Sequence, residues 1–188
     1  MDLEQILNPT GFAETRLNKT QVYDGVLLRV QSDEARLPDG KTAKREYIEH
    51  PGAVMIIPVF DDGRVLLERQ FRYPLQKMFI EFPAGKIDAG EDPLVCAKRE
   101  LLEETGYQAR EWQYLTTINP VISYSTEAIQ IYLARGLQAG EAQLDEGEFL
   151  ETFTASVSEL VAALKAGHIT DVKTHIGVLW LHMNWCER

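Results

Sequence analysis

The sequence predicts a layered α/β (α+β) domain that follows a small N-terminal antiparallel β-sheet. Three observations predict it. The 188 residues suffice for one domain of ordinary size with a small appendage. The N-terminal quarter carries strand-like runs separated by turns, and the remainder mixes strand-like runs with helical segments. We place an N-terminal region at residues 1–48 and the main domain at residues 49–188.

Two turn sequences divide residues 14–49, namely Asp24-Gly25 and Pro38-Asp39-Gly40. Both are typical of connections between antiparallel strands. The pattern therefore predicts a small antiparallel sheet of about three strands.

The main domain opens with a predicted hairpin. After Pro51-Gly52 the run AVMIIPVF is almost entirely apolar, which is typical of a strand buried on both faces. Asp61-Asp62-Gly63 then turns the chain into RVLLERQFRY, which is the second strand of the hairpin.

Helices and strands alternate in the rest of the chain. A helix is predicted from Pro93, a residue favoured in a first turn, to Gly106, a typical helix stop. Residues 111–134 return to strands. Two further helices close the chain, one ending at Gly167 and one over about residues 171–185.

Charge and composition exclude several classes of protein. The net charge of −10 opposes the long-range attraction that binding of DNA or RNA needs. No apolar run approaches the ~20 residues of a membrane-spanning helix. The N-terminus lacks the pattern of a secretory signal, so we expect no membrane span and a cytoplasmic location. Cys96 and Cys186 match neither a disulfide framework nor a metal-binding pair, and we interpret both as free thiols.

Three glutamates share one face of the helix predicted over residues 93–106. Glu100, Glu103 and Glu104 follow an i, i+3, i+4 spacing, so at ~100° per residue they fall within about a third of the circumference. Like charges this close repel one another, and hard cations that seek oxygen ligands turn the repulsion into attraction. Mg²⁺ is the natural candidate, with Mn²⁺ as a substitute. The alternative is a solvated acidic face on which Arg99 pairs with Glu103.

This helix and the loop before it match the Nudix box, which is a glycine, five residues, a glutamate, seven residues and then Arg-Glu-aliphatic-x-Glu-Glu-x-Gly. Because seven positions are identities, a chance match at a given start is on the order of one in a billion. A solvated face does not need the tight strand-to-loop passage at Pro83-Ala84-Gly85, which stands at a fixed distance before the helix. The matching residues are Gly85, Glu91, Arg99, Glu100, Leu101, Glu103, Glu104 and Gly106.

By these residues the chain resembles the Nudix hydrolase superfamily over roughly residues 50–188. The resemblance implies an α/β/α sandwich. It also implies that Glu100 and Glu104 bind magnesium directly, and that the carbonyl of Ala84 is a further ligand. Glu103 would be a ligand or a water-mediated partner, and it is kept as a catalytic candidate.

The remaining residues of the box look structural in this resemblance. Glu91 and Arg99 would orient the glutamates, and Gly85 and Gly106 would shape the two ends of the motif. Tyr107 departs from the aliphatic residue that usually follows the last glycine. We expect this change to affect packing and not chemistry.

Hydrolysis of a pyrophosphate also needs a base that accepts a proton from water. Carboxylates bound to metal accept protons poorly, so the base should come from outside the helix. The stretch Asp145-Glu146-Gly147-Glu148 is similar to the Asp-Glu-x-Glu loop of ADP-ribose pyrophosphatases. On that comparison Glu146 is the candidate base, and Glu148 is a base or an additional metal ligand. The alternative is an acidic surface turn.

Other segments resemble the ADP-ribose pyrophosphatase-like subfamily, namely HPGAVMIIPV, LLERQFRYP and EFPAGKID. Residues 1–48 resemble the extra sheet domain through which its members form intertwined homodimers. Arg69 and Arg72 resemble residues that clamp the diphosphate or its terminal sugar, for which the planar guanidinium is suited. The alternative is that both arginines are merely solvated.

The resemblance implies magnesium-dependent hydrolysis of a nucleoside diphosphate linked to another group, with ADP-ribose giving AMP and ribose 5-phosphate. One departure keeps the substrate open. Ile122 stands where ADP-ribose hydrolases commonly carry a proline, and the nearest proline, Pro120, comes early. GDP-mannose and other nucleotide sugars are the alternative substrates, and a non-catalytic nucleotide-sugar sensor is the alternative function.

Overall fold

The computed structural model describes residues 3–144 and 147–185, and the chain forms two compact units. The first unit takes the residues up to His50 together with 121–127 from much later in the chain. The second unit takes residues 51–120 and the chain from residue 128 onward. The first unit is therefore not continuous in sequence.

The first unit is built on an antiparallel sheet, as predicted, with four strands in the described residues where about three were expected. Within the described residues β3 is its central strand, because β1 and β2 pair with one edge of β3 and β4 pairs with the other. Gly40, at φ 86°, turns β3 into β4, and a left-handed backbone of this kind favours glycine. The elements are α1 (Leu3–Ile6), β1 (Thr15–Arg16), β2 (Gln21–Asp24), β3 (Arg29–Arg36) and β4 (Thr42–Glu49).

Residues 121–127 belong to the first unit through backbone hydrogen bonds to the end of β4. The N–H of Ile48 donates to the carbonyl of Tyr124 at 2.8 Å, and the N–H of Thr126 donates to the carbonyl of Ile48 at 3.0 Å. Ile122 lies in this segment and is exposed. Ile122, which stands where the resemblance would place a proline, is thus part of the first unit.

The second unit contains a seven-stranded mixed sheet in the described residues. Its order is β11-β6-β5-β10-β9, with β7 beside β6 and β8 beside β5. β5 and β10 run parallel, and the other pairs are antiparallel. The strands are β5 (Ala53–Val59), β6 (Val65–Arg72), β7 (Lys77–Glu81), β8 (Ala84–Lys86), β9 (Tyr107–Ile118), β10 (Ile129–Ala139) and β11 (Leu150–Ala155). The helices are α2 (Pro93–Thr105), α3 (Val157–Lys165) and α4 (Val172–Asn184), with a 3-10 turn at Tyr73–Leu75.

Helices cover both faces of this sheet. As a result, every residue of β5 is buried. Met55 and Ile57 pack with Phe82 and with α3 and α4, whereas Val54 and Ile56 pack with α2. Successive side chains of a strand point to opposite faces, so one apolar strand supplies both layers of the core. The predicted α/β/α sandwich is confirmed.

The helices begin and end close to where the sequence predicts. Asp92 caps α2 by accepting hydrogen bonds from the N–H groups of Leu94 and Val95, and Gly106 ends it at φ 72°. Ser156 caps α3 and Asp171 caps α4. None of the helices in the described part of the chain has the length and hydrophobicity that crossing a bilayer requires.

Candidate active site

The glycine loop and the acidic helix meet through two contacts. The N–H of Ala84 donates to Oε2 of Glu104 at 3.0 Å. A Cβ atom on Gly85 would lie 1.9 Å from the carboxyl carbon of Glu100, so only glycine lets this carboxylate lie against the strand. β8 is held at the sheet by its pairing with β5. The fold therefore brings two of the predicted metal ligands against the loop that carries the third.

Arg99 binds three carboxylates at the start of this face. It donates to Glu91 through Nε at 3.0 Å and Nη2 at 2.9 Å, and through Nη1 to Glu100 at 2.8 Å and Glu103 at 2.9 Å. Hydrogen bonds from Arg99 and from the backbone of Asp88 lower the pKa of Glu91 to about 2. This geometry suits the orienting part that the resemblance assigns to Glu91 and Arg99, and it includes the Arg99–Glu103 pair of the alternative interpretation.

Glu104 is a buried carboxylate surrounded by other carboxylates. It is 5% exposed. Burial raises its pKa, and the charges of Glu68, Glu100 and Glu148 raise it further, against the lowering effect of the Ala84 N–H. Burial also raises the pKa of Glu100 despite the contact with Arg99. The negative charge at this site is thus poorly compensated by the chain itself.

Glu68 is a member of this carboxylate cluster that the sequence analysis missed. Its side chain is 1% exposed, and its Oε2 has no hydrogen-bond partner in the described residues. Burial and the charge of Glu81 raise its pKa. The available signal was a charged residue that directly follows the apolar run Val65–Leu67 in a predicted strand.

Glu148 approaches the same cluster from the loop before β11. Its Oε1 lies 3.4 Å from Nε2 of Gln70, which shares a face of β6 with Glu68. Its charge raises the pKa values of Glu100 and Glu104, so the structure brings Glu148 near the acidic helix. Asp145 and Glu146 lie outside the described residues.

The two candidate arginines lie on opposite faces of β6. Arg69 pairs with Glu151 of β11 through Nε at 3.0 Å, and both side chains are exposed. Arg72 donates through Nε and Nη2 to the buried Glu81 at 2.7 and 2.8 Å. Since Arg72 and Glu68 share a face, the structure brings Arg72 toward the carboxylate cluster and does not bring Arg69 there.

The donor set fits a divalent cation such as magnesium. Carboxylate and carbonyl oxygens are the ligands such ions prefer, and a cation would relieve the repulsion around Glu104. The unpartnered Oε2 of Glu68 shows the same deficit of positive charge. Within residues 3–144 and 147–185, no three acidic, His or Cys side chains already stand in coordinating geometry. Arg99 holds Glu100 and Glu103 instead, so binding of a cation requires these side chains to turn.

Two other features complete the picture of the second unit. Tyr107 packs edge to face on Phe60, with ring centroids 5.3 Å apart, which agrees with a packing role. A cavity of about 700 Å³ opens between the turn after β5 and the end of α4, where Arg64 and Trp185 line it. None of the glutamates of the carboxylate cluster around Glu104 lines this cavity.

Comparison with known proteins shows the family to which the chain belongs. The model of the NUDIX domain family matches residues 49–174. The methanol dehydrogenase activator of Bacillus methanolicus is 38% identical over 92% of this chain and 94% of its own length. The ADP-ribose pyrophosphatase of Bacillus subtilis is 34% identical over 90% of this chain and 93% of its own.

A solved structure agrees at the level of the whole chain. The crystal structure of an ADP compounds hydrolase superposes with a TM-score of 0.80 at 26% identity, and the match covers 92% of this chain and 93% of that one. Together with the geometry of the Gly85 loop and α2, these matches confirm the resemblance that the box predicted, and the chain belongs to the Nudix family.

Proposed function

We propose that this protein is a Nudix hydrolase that cuts the pyrophosphate bond of ADP-ribose. Water attacks one phosphorus, the bridging P–O bond breaks, and the products are AMP and ribose 5-phosphate. The observation that carries the proposal is the junction at Gly85, where the N–H of Ala84 donates to Glu104 and the carboxylate of Glu100 lies against Gly85.

The residues that would hold Mg²⁺ are the carbonyl of Ala84, Glu100, Glu104 and, directly or through water, Glu103. Such an ion, Mg²⁺ or its substitute Mn²⁺, would supply positive charge to the phosphoryl oxygens. Arg99, which is held by Glu91, orients the side chains of Glu100 and Glu103. Gly85 leaves room for the carboxylate of Glu100 to lie against the loop, and Gly106 ends α2.

The chain supplies the base from the loop before β11. Glu148 lies near the acidic face and accepts a hydrogen bond from Gln70, which suits either a base or an additional ligand. Glu146 is the other candidate base, and comparison of Glu146→Gln with Glu148→Gln separates the two. Arg72 is the better placed of the two arginines to contact the diphosphate, since Arg69 pairs with Glu151 on the other face.

ADP-ribose is proposed because relatives in Bacillus subtilis and Mycobacterium tuberculosis are named ADP-ribose pyrophosphatases. GDP-mannose and other nucleotide sugars are the alternative substrates. A non-catalytic sensor is the second candidate function, and the similarity to a methanol dehydrogenase activator favours it. The complete set of box glutamates favours the enzyme.

The test incubates the full chain and Mg²⁺ with ADP-ribose, ADP-glucose, GDP-mannose, NADH and diadenosine polyphosphates, and identifies the products by mass spectrometry. Equal amounts of AMP and ribose 5-phosphate from ADP-ribose, formed faster than products from the others, are expected. Binding of ADP-ribose without turnover of any compound would support the sensor and overturn the enzyme.

We further propose a homodimer formed through residues 1–48, in the cytoplasm. The first unit exposes several apolar side chains around the turn between β2 and β3, and Val26 and Leu27 are the most exposed of them. Apolar surface of this kind marks protein contacts. Light scattering on the purified chain is expected to give twice the mass of one chain, and Leu27→Asp is expected to lower it. A mass of one chain in the wild type would contradict the dimer.

A further inference from the structure

Glu81 ends β7 as a buried carboxylate with two cationic partners. It is 2% exposed. Arg72 reaches it from β6 with two hydrogen bonds, and Nζ of Lys173 reaches its Oε2 from the first turn of α4. Burial alone would raise the pKa of Glu81, but the hydrogen bonds from Arg72 and the charge of Lys173 outweigh burial and hold the pKa below its ordinary value. Glu81 is therefore ionised and held from two sides.

The two cations are not equivalent. The side chain of Lys173 is 11% exposed and also contacts Asp171 at 3.1 Å, so it is enclosed by acidic partners. The side chain of Arg72 is 42% exposed. Arg72 uses Nε and Nη2 for Glu81, and this side-on geometry leaves Nη1 for another acceptor. Arg72 thus combines a fixed edge with an accessible one.

Contacts next to Lys173 fix its position against β7. The N–H of Phe82 donates to Oγ1 of the fully buried Thr174 at 3.1 Å. Gly177, one turn later, lies so close to the ring of Phe82 that a Cβ atom would come within 2.6 Å of it. The first turns of α4 therefore dock onto residues 81 and 82, which directly precede the Pro83-Ala84-Gly85 loop.

We propose that Lys173 is a positioning residue for the substrate diphosphate, because it holds Glu81 and thereby fixes the guanidinium of Arg72 with its Nη1 edge toward the phosphates. This rests on the proposed function, in which Arg72 contacts the diphosphate. A buried carboxylate that has a single cationic partner holds that partner tightly, since loss of the partner leaves an uncompensated charge. Lys173 supplies the second charge, so Arg72 can share its hydrogen bonds with a phosphate while Glu81 stays compensated.

The test compares Lys173→Met, Lys173→Gln and Lys173→Arg in the full chain, with Lys165→Met as the matched control on an exposed position of α3. The probe is α,β-methylene ADP-ribose with Mg²⁺, which binds without turnover, alongside KM and kcat for ADP-ribose. The loss of Lys173 is expected to raise Kd and KM about tenfold and to change kcat far less. Lys173→Arg is expected to recover most of the affinity, and Lys165→Met to leave it unchanged. An unchanged Kd in folded Lys173→Met and Lys173→Gln would overturn the inference.

A double-mutant cycle tests whether Lys173 acts through Arg72. In an Arg72→Gln background, Lys173→Met is expected to weaken binding by less than about twofold, because the group that it positions is gone. A full tenfold loss in that background would show that Lys173 acts by another route and would overturn the inference.

A readout without substrate separates this inference from the proposed function. The Nε–H signal of Arg72 in an ¹⁵N spectrum, assigned with Arg72→Gln, is expected to move or broaden in Lys173→Met and to stay in place in Lys165→Met. Turnover by the wild type, together with an Arg72 signal that does not move in Lys173→Met, would overturn the inference about Lys173 and leave the proposed function standing. A moved signal with no turnover of ADP-ribose would overturn the proposed function alone.

Discussion

Glu81 and Glu104 are both buried carboxylates of the second unit, and their surroundings are opposite. Glu81 contacts Arg72 and Lys173, and its pKa lies below the ordinary value. Glu104 accepts one backbone N–H and has carboxylates as neighbours, and its pKa lies above the ordinary value. The chain compensates the charge of Glu81 from within and leaves the charge of Glu104 to be compensated by a ligand. This difference separates a structural carboxylate from a binding one.

Removing the charge of Glu81, which Arg72 and Lys173 compensate, should destabilise the fold. Glu81→Gln leaves Lys173 and Arg72 without their buried partner, so we expect the free energy of unfolding to fall by about 3 kcal/mol, as for other broken buried ion pairs. Urea unfolding measures the change. Glu151→Gln is the matched control, because Glu151 is the exposed partner of Arg69 and such pairs contribute about 0–1 kcal/mol. Equal effects of the two substitutions would contradict the structural role.

Removing the charge of Glu104 should have the opposite signature. Glu104→Gln takes away a repelling carboxylate, so we expect stability without metal to be no lower than that of the wild type while the affinity for Mn²⁺ falls by up to about a hundredfold. Mn²⁺ binding followed by electron paramagnetic resonance measures the affinity. Glu111→Gln, at an exposed position of β9, is the control. Unchanged Mn²⁺ affinity in Glu104→Gln would remove Glu104 from the ligand set.

A substitution of Gly85 should affect the proposed metal ligands and not the core, because Gly85 lies against Glu100. In Gly85→Ala the new methyl group would meet the carboxylate of Glu100, which is the far end of a flexible side chain and can swing aside. We therefore expect a melting temperature close to that of the wild type and a loss of turnover of about tenfold or more. A large loss of stability with full activity per folded molecule would contradict this account of Gly85.

The two carboxylates should also respond to pH with opposite signs. A carboxyl group whose pKa is raised by folding contributes its full stability at a pH below the pKa that it has in the unfolded chain. This contribution is lost as the pH rises toward the pKa of the folded state. A group whose pKa is lowered contributes above the pKa that it has in the unfolded chain and loses its contribution as the pH falls. In EDTA, Glu104→Gln should therefore gain stability over the wild type as the pH rises from about 5 to about 8. Because Glu68 and Glu104 interact, the change belongs to the pair. A constant difference across this range would contradict the repulsion around Glu104.

The sequence predicted features formed by residues that are close together in the chain. It missed contacts between residues that are far apart in the chain. The helix from Pro93 and the close approach at Gly85 follow from caps, spacing and a motif within one short stretch. Lys173 follows Glu81 by 92 positions, so its contact depends on how α4 docks, which no local pattern encodes.

Two further misses have the same physical origin. Glu68 looked like an ordinary strand residue, because a buried carboxylate and an exposed one have the same letter in an alternating pattern. Residues 121–127 join the first unit through hydrogen bonds to Ile48, a pairing between segments far apart in sequence. Strand periodicity could have separated Arg69 from Arg72, since residues three apart in a strand lie on opposite faces.

The most direct test of metal-dependent hydrolysis at Glu104 is the formation of AMP from ADP-ribose as a function of added Mg²⁺, measured in the wild type, Glu104→Gln and Glu111→Gln. We expect no product in EDTA, saturation with Mg²⁺ in the wild type and in Glu111→Gln, and loss of at least about a hundredfold in Glu104→Gln at every Mg²⁺ concentration. Formation of AMP by Glu104→Gln at the rate of the wild type, or by the wild type in EDTA, would contradict metal-dependent hydrolysis at Glu104.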